Sequence, residues 1–408
     1  MGCRVDLNSV APSSAALARF GELDAFLLAY QALWRPRPFT CLSLPWEAEH
    51  PDWSAWLRAR SLDDAERVAL QGLPGEAPPS LAQLAAQAAA LSRLDELPAT
   101  TRATGAPRQS VDVPGRKWEQ IQAFASRLGF TEPPRHWLDW CAGKGHLGRL
   151  VAYPDTPLTC LEWDPALVAE GERLSRRLGI AALHCQQDVM ADNAAVCLEP
   201  DHTPIALHAC GDLHVRLMEL AMNRGCRQLA VAPCCYNRIE GKHYRPLSQA
   251  ARRSALTLSR DDLGLPLSEA VTAGARERRN RNQSMAWRLG FDLLQRRLRH
   301  NSYLPTPSLP SAWLRKPFAQ YCRDLASLKG LGDVEEQDWN ALEHAGWQRL
   351  AQVRNLETVR NLFRRPLELW LLLDRALRLE ESGYRVRLGT FCPPSLTPRN
   401  LLLLAERP

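Results

Sequence analysis

One stretch of the chain concentrates residues able to do chemistry. Asp139-Trp140-Cys141-Ala142-Gly143-Lys144-Gly145-His146-Leu147-Gly148 sets an acid before spaced glycines and a helix start. Glycines at 143 and 145 let the backbone turn tightly and pass close to a ligand. The helix opening near His146 offers free amide donors. A dinucleotide loop follows the same logic, so the acids must decide between cofactors. Glu162, 19 residues after Gly143, can accept two hydrogen bonds from ribose hydroxyls. Asp188 can take an adenine amino group. Asp139 repels a pyrophosphate but suits a cationic amino-acid end. The expected cofactor is therefore S-adenosylmethionine rather than NAD, since no catalytic Tyr-Lys pair accompanies the glycines. The expected contacts are Asp139, Ala142, Gly143, Gly145, His146, Leu147, Glu162, Trp163, Asp188 and His208. Singly, such acids are more often caps or turn formers, as Asp164 before Pro165 is read here. Three at successive strand ends, in register with a glycine turn, form a pattern.

Two further clusters follow strands. In His208-Ala209-Cys210-Gly211-Asp212-Leu213, Asp212 either orients an acceptor and takes its proton or caps the next helix. In Pro233-Cys234-Cys235-Tyr236-Asn237, Tyr236 either stacks on a flat acceptor or is a half-buried aromatic. Cys234 after a proline suggests a thiolate attacking a pyrimidine ring, against two ordinary buried thiols. Asp212, Cys234, Tyr236 and Asn237 are the catalytic candidates. No CxxC pair exists, and no metal is expected, although Cys210, Cys234, Cys235 and His243 can meet in space.

The elements that must position these groups alternate. A helix over 117–128 precedes strands at His136–Cys141, Leu158–Trp163, Ala181–Gln186, Ile205–Ala209 and Leu229–Ala232. Helices near 146–152, 165–177 and 213–224 lie between them. This predicts an α/β, Rossmann-like, mostly parallel sheet. The alternation stops at Pro233. After a long helical, Arg-rich stretch, a helix over 366–381 and strands at 384–391 and 400–405 complete the sheet, the last antiparallel. Residues 1–110 show helical periodicity around Phe20, Leu23, Phe26 and Leu27, and 100–114 reads as a linker. Four segments are expected: a helical domain over 1–110, a core over 111–235, a basic helical insertion over 236–365, and a completing segment over 366–408.

The 408 residues exceed one small core. No apolar run is long enough to span a bilayer. The start carries no secretory signal, and Asp6 stands where a myristoylated Met-Gly chain needs Ser or Thr. Twelve cysteines without framework spacing fit reduced thiols in the cytoplasm. Net charge is only +6, yet Tyr236 to Gln320 holds 16 Lys and Arg against 6 Asp and Glu. The run Arg276, Arg278, Arg279, Arg281 is either a solvated helix face or a phosphate-contacting surface.

DWCAGKGHLGR, HACGDL and PCCYN together resemble the methyltransferase-like class I S-adenosylmethionine-dependent family that includes the "ribosomal RNA adenine dimethylase domain-containing" proteins and bacterial relatives. The helix start at Arg116-Lys117-Trp118-Glu119, Leu367 through Arg375, and Phe391-Cys392-Pro393 share the likeness, which covers roughly 115–408. It implies the fold, the cofactor, and Asp139, Gly143, Gly145, His146, Glu162 and Asp188 as cofactor contacts. The segments after strands four and five become active-site segments. Similar cysteine-bearing motifs occur in tRNA ribose 2′-O-methyltransferases with a zinc finger, which this chain lacks. The expected activity is methyl transfer by direct displacement to RNA, tRNA or rRNA, through the basic 236–320 segment. The alternatives are a protein or small-molecule acceptor, or a non-catalytic binding module.

Overall fold

A strand buried on both faces tolerates no polar alternation, and β5 (Gln228–Cys234) is buried at every position. It lies inside a seven-stranded sheet of order β3-β2-β1-β4-β5-β7-β6. The computed structural model describes residues 14–100, 110, 112–268, 274–299, 303–332 and 334–408. The first residues, with Gly2 and Asp6, and most of the expected linker lie outside the described residues.

The strands β1 (His136–Trp140), β2 (Leu158–Glu162), β3 (Ala182–Gln186), β4 (His202–Cys210) and β5 pair in parallel. β7 (Leu401–Glu406) runs antiparallel to both β5 and β6 (Arg385–Thr390). This is the expected Rossmann-like, mostly parallel sheet, with its last strand reversed. Parallel strands need helical crossovers. These are α7 (His146–Ala152), α8 (Pro165–Arg177) and α9 (Asp212–Arg224), while α6 (Gly115–Ala125) precedes β1. Asp164 caps α8, accepting from the Ala166 amide at 2.8 Å, with Pro165 at the first helical position. One face of the sheet packs Ile121, Phe124, Leu147, Leu150, Leu158 and Phe391 into a continuous core.

Two compact units divide the chain differently from the four expected segments. The first comprises 1–29, 91–269 and 365–408, and so contains the whole sheet. Its α1 (Ser14–Ala29) joins the sheet unit because Phe20 packs on Trp370 of α14 (Arg364–Glu380) at 5.1 Å and Asp24 accepts from Trp370 Nε1 at 2.8 Å. Short α10 (Gln249–Arg253) also belongs here.

The second unit comprises 30–90 and 270–364. It holds α2 (Gln31–Trp34), α3 (Pro51–Arg58), α4 (Leu62–Gln71), α5 (Pro79–Leu91), α11 (Ala275–Arg299), α12 (Phe318–Leu328) and α13 (Trp339–Asn361). The buried Arg349 of α13 donates to the carbonyls of Pro38 and Cys41, and Asn355 to those of Arg60 and Ser61. Such distant pairings leave no periodic trace in a sequence. α11 and α13 approach closely at Gly290 and Gly346. A Cβ on Gly346 would stand 2.5 Å from the Ala286 carbonyl oxygen. Among the described residues, no helix is long and apolar enough to cross a membrane.

Candidate active site

In a parallel sheet the carboxyl ends of the strands gather the functional loops. Here the ends of β1, β2, β4 and β5 carry the motifs picked out from the sequence. After β1 the chain enters the left-handed region at Cys141 (φ 55°), Gly143 (φ 56°) and Gly145 (φ 73°). Glu162, closing β2, turns toward this loop. Its Oε2 accepts from the Gly143 amide at 2.8 Å, and its Oε1 from the amides of Trp163 and Asp164 at 3.0 and 3.1 Å. A Cβ built on Gly143 would meet nothing within 4 Å, so this glycine faces open space. Trp163 is 72% exposed beside it. Asp188, just past β3, turns its Oδ1 back on the Met190 amide at 2.9 Å. Half-buried Ala142 donates its amide to the Leu161 carbonyl. These groups stand on the turns after β1, β2 and β3, where the sequence reading expects a nucleoside cofactor.

Several other expected contacts turn inward. Asp139 is buried and accepts from the Gly148 amide at 2.8 Å. Burial pushes its carboxyl up to about 7, against the pull of that bond. It braces the start of α7 instead of reaching into the open loop. His146 is buried and meets Arg149 Nη2 at 3.0 Å through Nδ1. Burial and the nearby guanidinium lower its pKa to about 3. Leu147 lies in the core beside α6 and β1. A Cβ on Gly145 would stand 2.9 Å from the His184 ring and 3.0 Å from Cys160 Sγ, so this glycine serves packing. The motif's sequence gives no sign of which of its side chains face the core, and Asp139, Gly145, His146 and Leu147 pack inward.

The acceptor-side candidates separate in the same way. Asp212 opens α9, and its Oδ2 accepts from the Glu240 amide at 2.8 Å, tying the loop after β5 to that after β4. Tyr236 is only 1% exposed and lies under the Arg375 guanidinium, 4.9 Å from its ring centroid. It cannot stack on an acceptor there, which corrects that expectation. Its hydroxyl is buried without a hydrogen-bond partner among the described residues. Cys234 is buried, and contacts with the thiols of Cys210 and Cys235, together with burial, push its pKa well up. That environment opposes a thiolate nucleophile. Asn237 is half-buried. His208, in the left-handed region at φ 70°, meets Gln120 Oε1 at 3.0 Å through Nε2.

Gln120 and Lys117 of α6, which the sequence reading does not place among the site residues, also face this group. The Lys117 charge acts on Asp139, His146 and His208 alike, placing this helix start beside the strand ends. The Arg116-Lys117-Trp118-Glu119 motif was the available signal.

The comparisons fit this geometry. Residues 116–242, from α6 through the loop after β5, match the family model of a methyltransferase domain. The chain thus carries a methyltransferase domain, and S-adenosylmethionine, the cofactor expected from the glycine loop and its acids, accords with the match. Among solved structures, a geranyl diphosphate methyltransferase in complex with GPP and sinefungin is similar at a TM-score of 0.24 and 14% identity. The likeness covers 44% of this chain and 64% of that one. At that depth it says nothing about substrate.

Proposed function

We propose that the chain is an S-adenosylmethionine-dependent methyltransferase acting on RNA. The observation that supports the cofactor most directly is the Glu162 carboxylate held 2.8 Å from the Gly143 amide beside open space. Glu162 would hold the ribose, Trp163 and Asp188 would flank the base, and the turn at Gly143 would admit the amino-acid portion. The bound cofactor supplies an activated sulfonium methyl. The protein's part is to hold the acceptor in line with it, so proximity and orientation carry the catalysis. The loops after β4 and β5, tied by Asp212, shape the acceptor side.

Support for RNA rests on α11, where Arg276, Arg278 and Arg279 are exposed. It rests as well on the resemblance of HACGDL and PCCYN to the RNA adenine dimethylase-containing group. Other cations of the basic segment serve the fold. Arg260 donates to the carbonyls of Ile239, Glu240 and Gly241, Arg296 pairs with Asp292, and Lys316 pairs with Asp324. The phosphate-contacting surface is therefore narrower than the charge count suggests.

Calorimetry with adenosylmethionine, its demethylated product and NAD tests the cofactor; binding of NAD alone would overturn it. Labelled adenosylmethionine added to extract of a deletion strain tests the acceptor. Label entering protein or small molecules, with none in RNA, would overturn the RNA reading. Affinity for bulk RNA should fall with rising salt, and less steeply once Arg276, Arg278 and Arg279 are changed to Gln.

A further inference from the structure

The loops after β4 and β5 bring three thiols together with no evident need to do so. Cys210 Sγ and Cys234 Sγ stand 3.6 Å apart, and the sulfurs of Cys210, Cys234 and Cys235 all lie within 4.8 Å of one another. A disulfide needs about 2.05 Å. A tetrahedral centre with metal–sulfur bonds of about 2.3 Å sets its sulfurs roughly 3.8 Å apart. The observed separation matches the second figure.

The trio is also held in place. Gly211 donates its amide to the Cys234 carbonyl at 3.0 Å, Asp212 to the Arg238 carbonyl at 3.0 Å, and Arg238 to the Cys235 carbonyl at 2.9 Å. A Cβ on Gly211 (φ 56°) would stand 1.9 Å from the Arg238 carbonyl oxygen, so only glycine lets the two loops close. Cys235 itself sits at φ 47°, a left-handed conformation that strains a non-glycine residue. Three cysteines serving as small hydrophobes would need neither the strain nor half-exposure, and Cys210 and Cys235 are both half-exposed.

We propose that Cys210, Cys234 and Cys235 form a three-thiolate site for one soft divalent cation of the zinc type, leaving a fourth coordination position for an exogenous ligand. Binding displaces one proton from each thiol, three in all, and leaves a centre of charge −1. No fourth His, Cys, Asp or Glu ligand atom joins the group among the described residues, and His243, which bridges to Ser259, stands outside it. Three protein ligands with one open position is the arrangement of catalytic rather than structural zinc. The site lies at the ends of β4 and β5, the acceptor side of the domain, yet it stands whether or not the protein binds adenosylmethionine.

The test uses the full chain, reduced and stripped of metal by a chelator. Zinc is titrated in competition with a chromophoric chelator, and cobalt(II) is titrated while the thiolate-to-metal charge-transfer band is read. One equivalent is expected, with band intensity corresponding to three thiolates. Cys210→Ser and Cys235→Ser should each weaken zinc at least 10-fold and remove about a third of the band, whereas Cys41→Ser should change neither. Circular dichroism of each variant separates loss of metal from loss of fold. The proposal is overturned if the wild-type chain takes up no stoichiometric metal, if the serine variants bind as it does, or if reduced protein ignores metal while air-exposed protein shows a Cys210–Cys234 disulfide.

Discussion

Glu162 and Gly143 share a hydrogen bond of 2.8 Å that spans the gap between the end of β2 and the turn after β1. The same carboxylate takes two further amides, so one side chain shapes the loop and, in the proposed complex, would offer acceptor oxygens to the ribose hydroxyls. Glu162→Ala should therefore weaken adenosylmethionine by about 10- to 100-fold, the scale of one or two hydrogen bonds to a charged group. Calorimetry checks it. Unchanged affinity would remove Glu162 from the cofactor site.

Two glycines of the same motif should respond in opposite ways. A Cβ at Gly148 would lie 2.7 Å from Leu158 Cδ1 and 3.0 Å from Asp139 Oδ2. Gly148→Ala should thus lower stability by about 1–3 kcal/mol through overpacking. At Gly143 the space is open, so a Trp there should leave most stability intact, less about 1–2 kcal/mol for its left-handed backbone, while abolishing cofactor binding. Urea melts and binding isotherms on both variants separate the effects.

Tyr236→Phe should leave methyl transfer unchanged and stability equal or slightly higher, because the hydroxyl it removes is buried without a partner among the described residues. A fall in turnover with intact folding would restore Tyr236 to the acceptor site.

Arg375 is buried and donates to His214 Nε2 at 2.7 Å, Tyr244 Oη at 3.1 Å and the Leu371 carbonyl at 2.7 Å. Tyr244 in turn donates to Asp374 at 2.6 Å. Arg375→Ala strands several buried polar groups at once and should cost about 3 kcal/mol or more, read as a lower urea midpoint.

Stability should decline in mild acid. Burial holds the folded-state pKa of His184 at about 4 and that of His146 at about 3, below the roughly 6.5 of an unfolded chain. Below pH 6.5 the unfolded chain therefore takes up protons that the folded one refuses, and stability falls with pH. Asp139 acts oppositely. Its carboxyl is raised to about 7, so its contribution improves as pH falls from 7. Two histidines outweigh one carboxyl, and the urea midpoint should drop between pH 6.5 and 5, less steeply in His184→Gln.

What the sequence revealed was local. Asp164-Pro165 marked the start of α8, and that helix runs from 165 to 177 as expected. The expected strands at Leu158–Trp163 and Ile205–Ala209 are β2, ending one residue earlier at Glu162, and β4, longer at both ends. What it hid depended on distant partners. The burial of Tyr236 follows from Arg375, more than a hundred residues later. The place of α1 follows from Trp370, and the pairing of 30–90 with 270–364 from Arg349 and its carbonyl acceptors. The inward turn of Asp139 is legible only once Gly148 is seen donating to it.

The strand order has a consequence for how the protein is made. β5 must wait for β7, and the ribosome needs roughly 10–30 s to travel from Cys234 to Leu401. Throughout that interval the nascent sheet exposes an apolar border with unsatisfied backbone donors and acceptors. Truncation anywhere before Leu401 would make that exposure permanent, so shortened products should aggregate or be degraded instead of persisting as a trimmed enzyme.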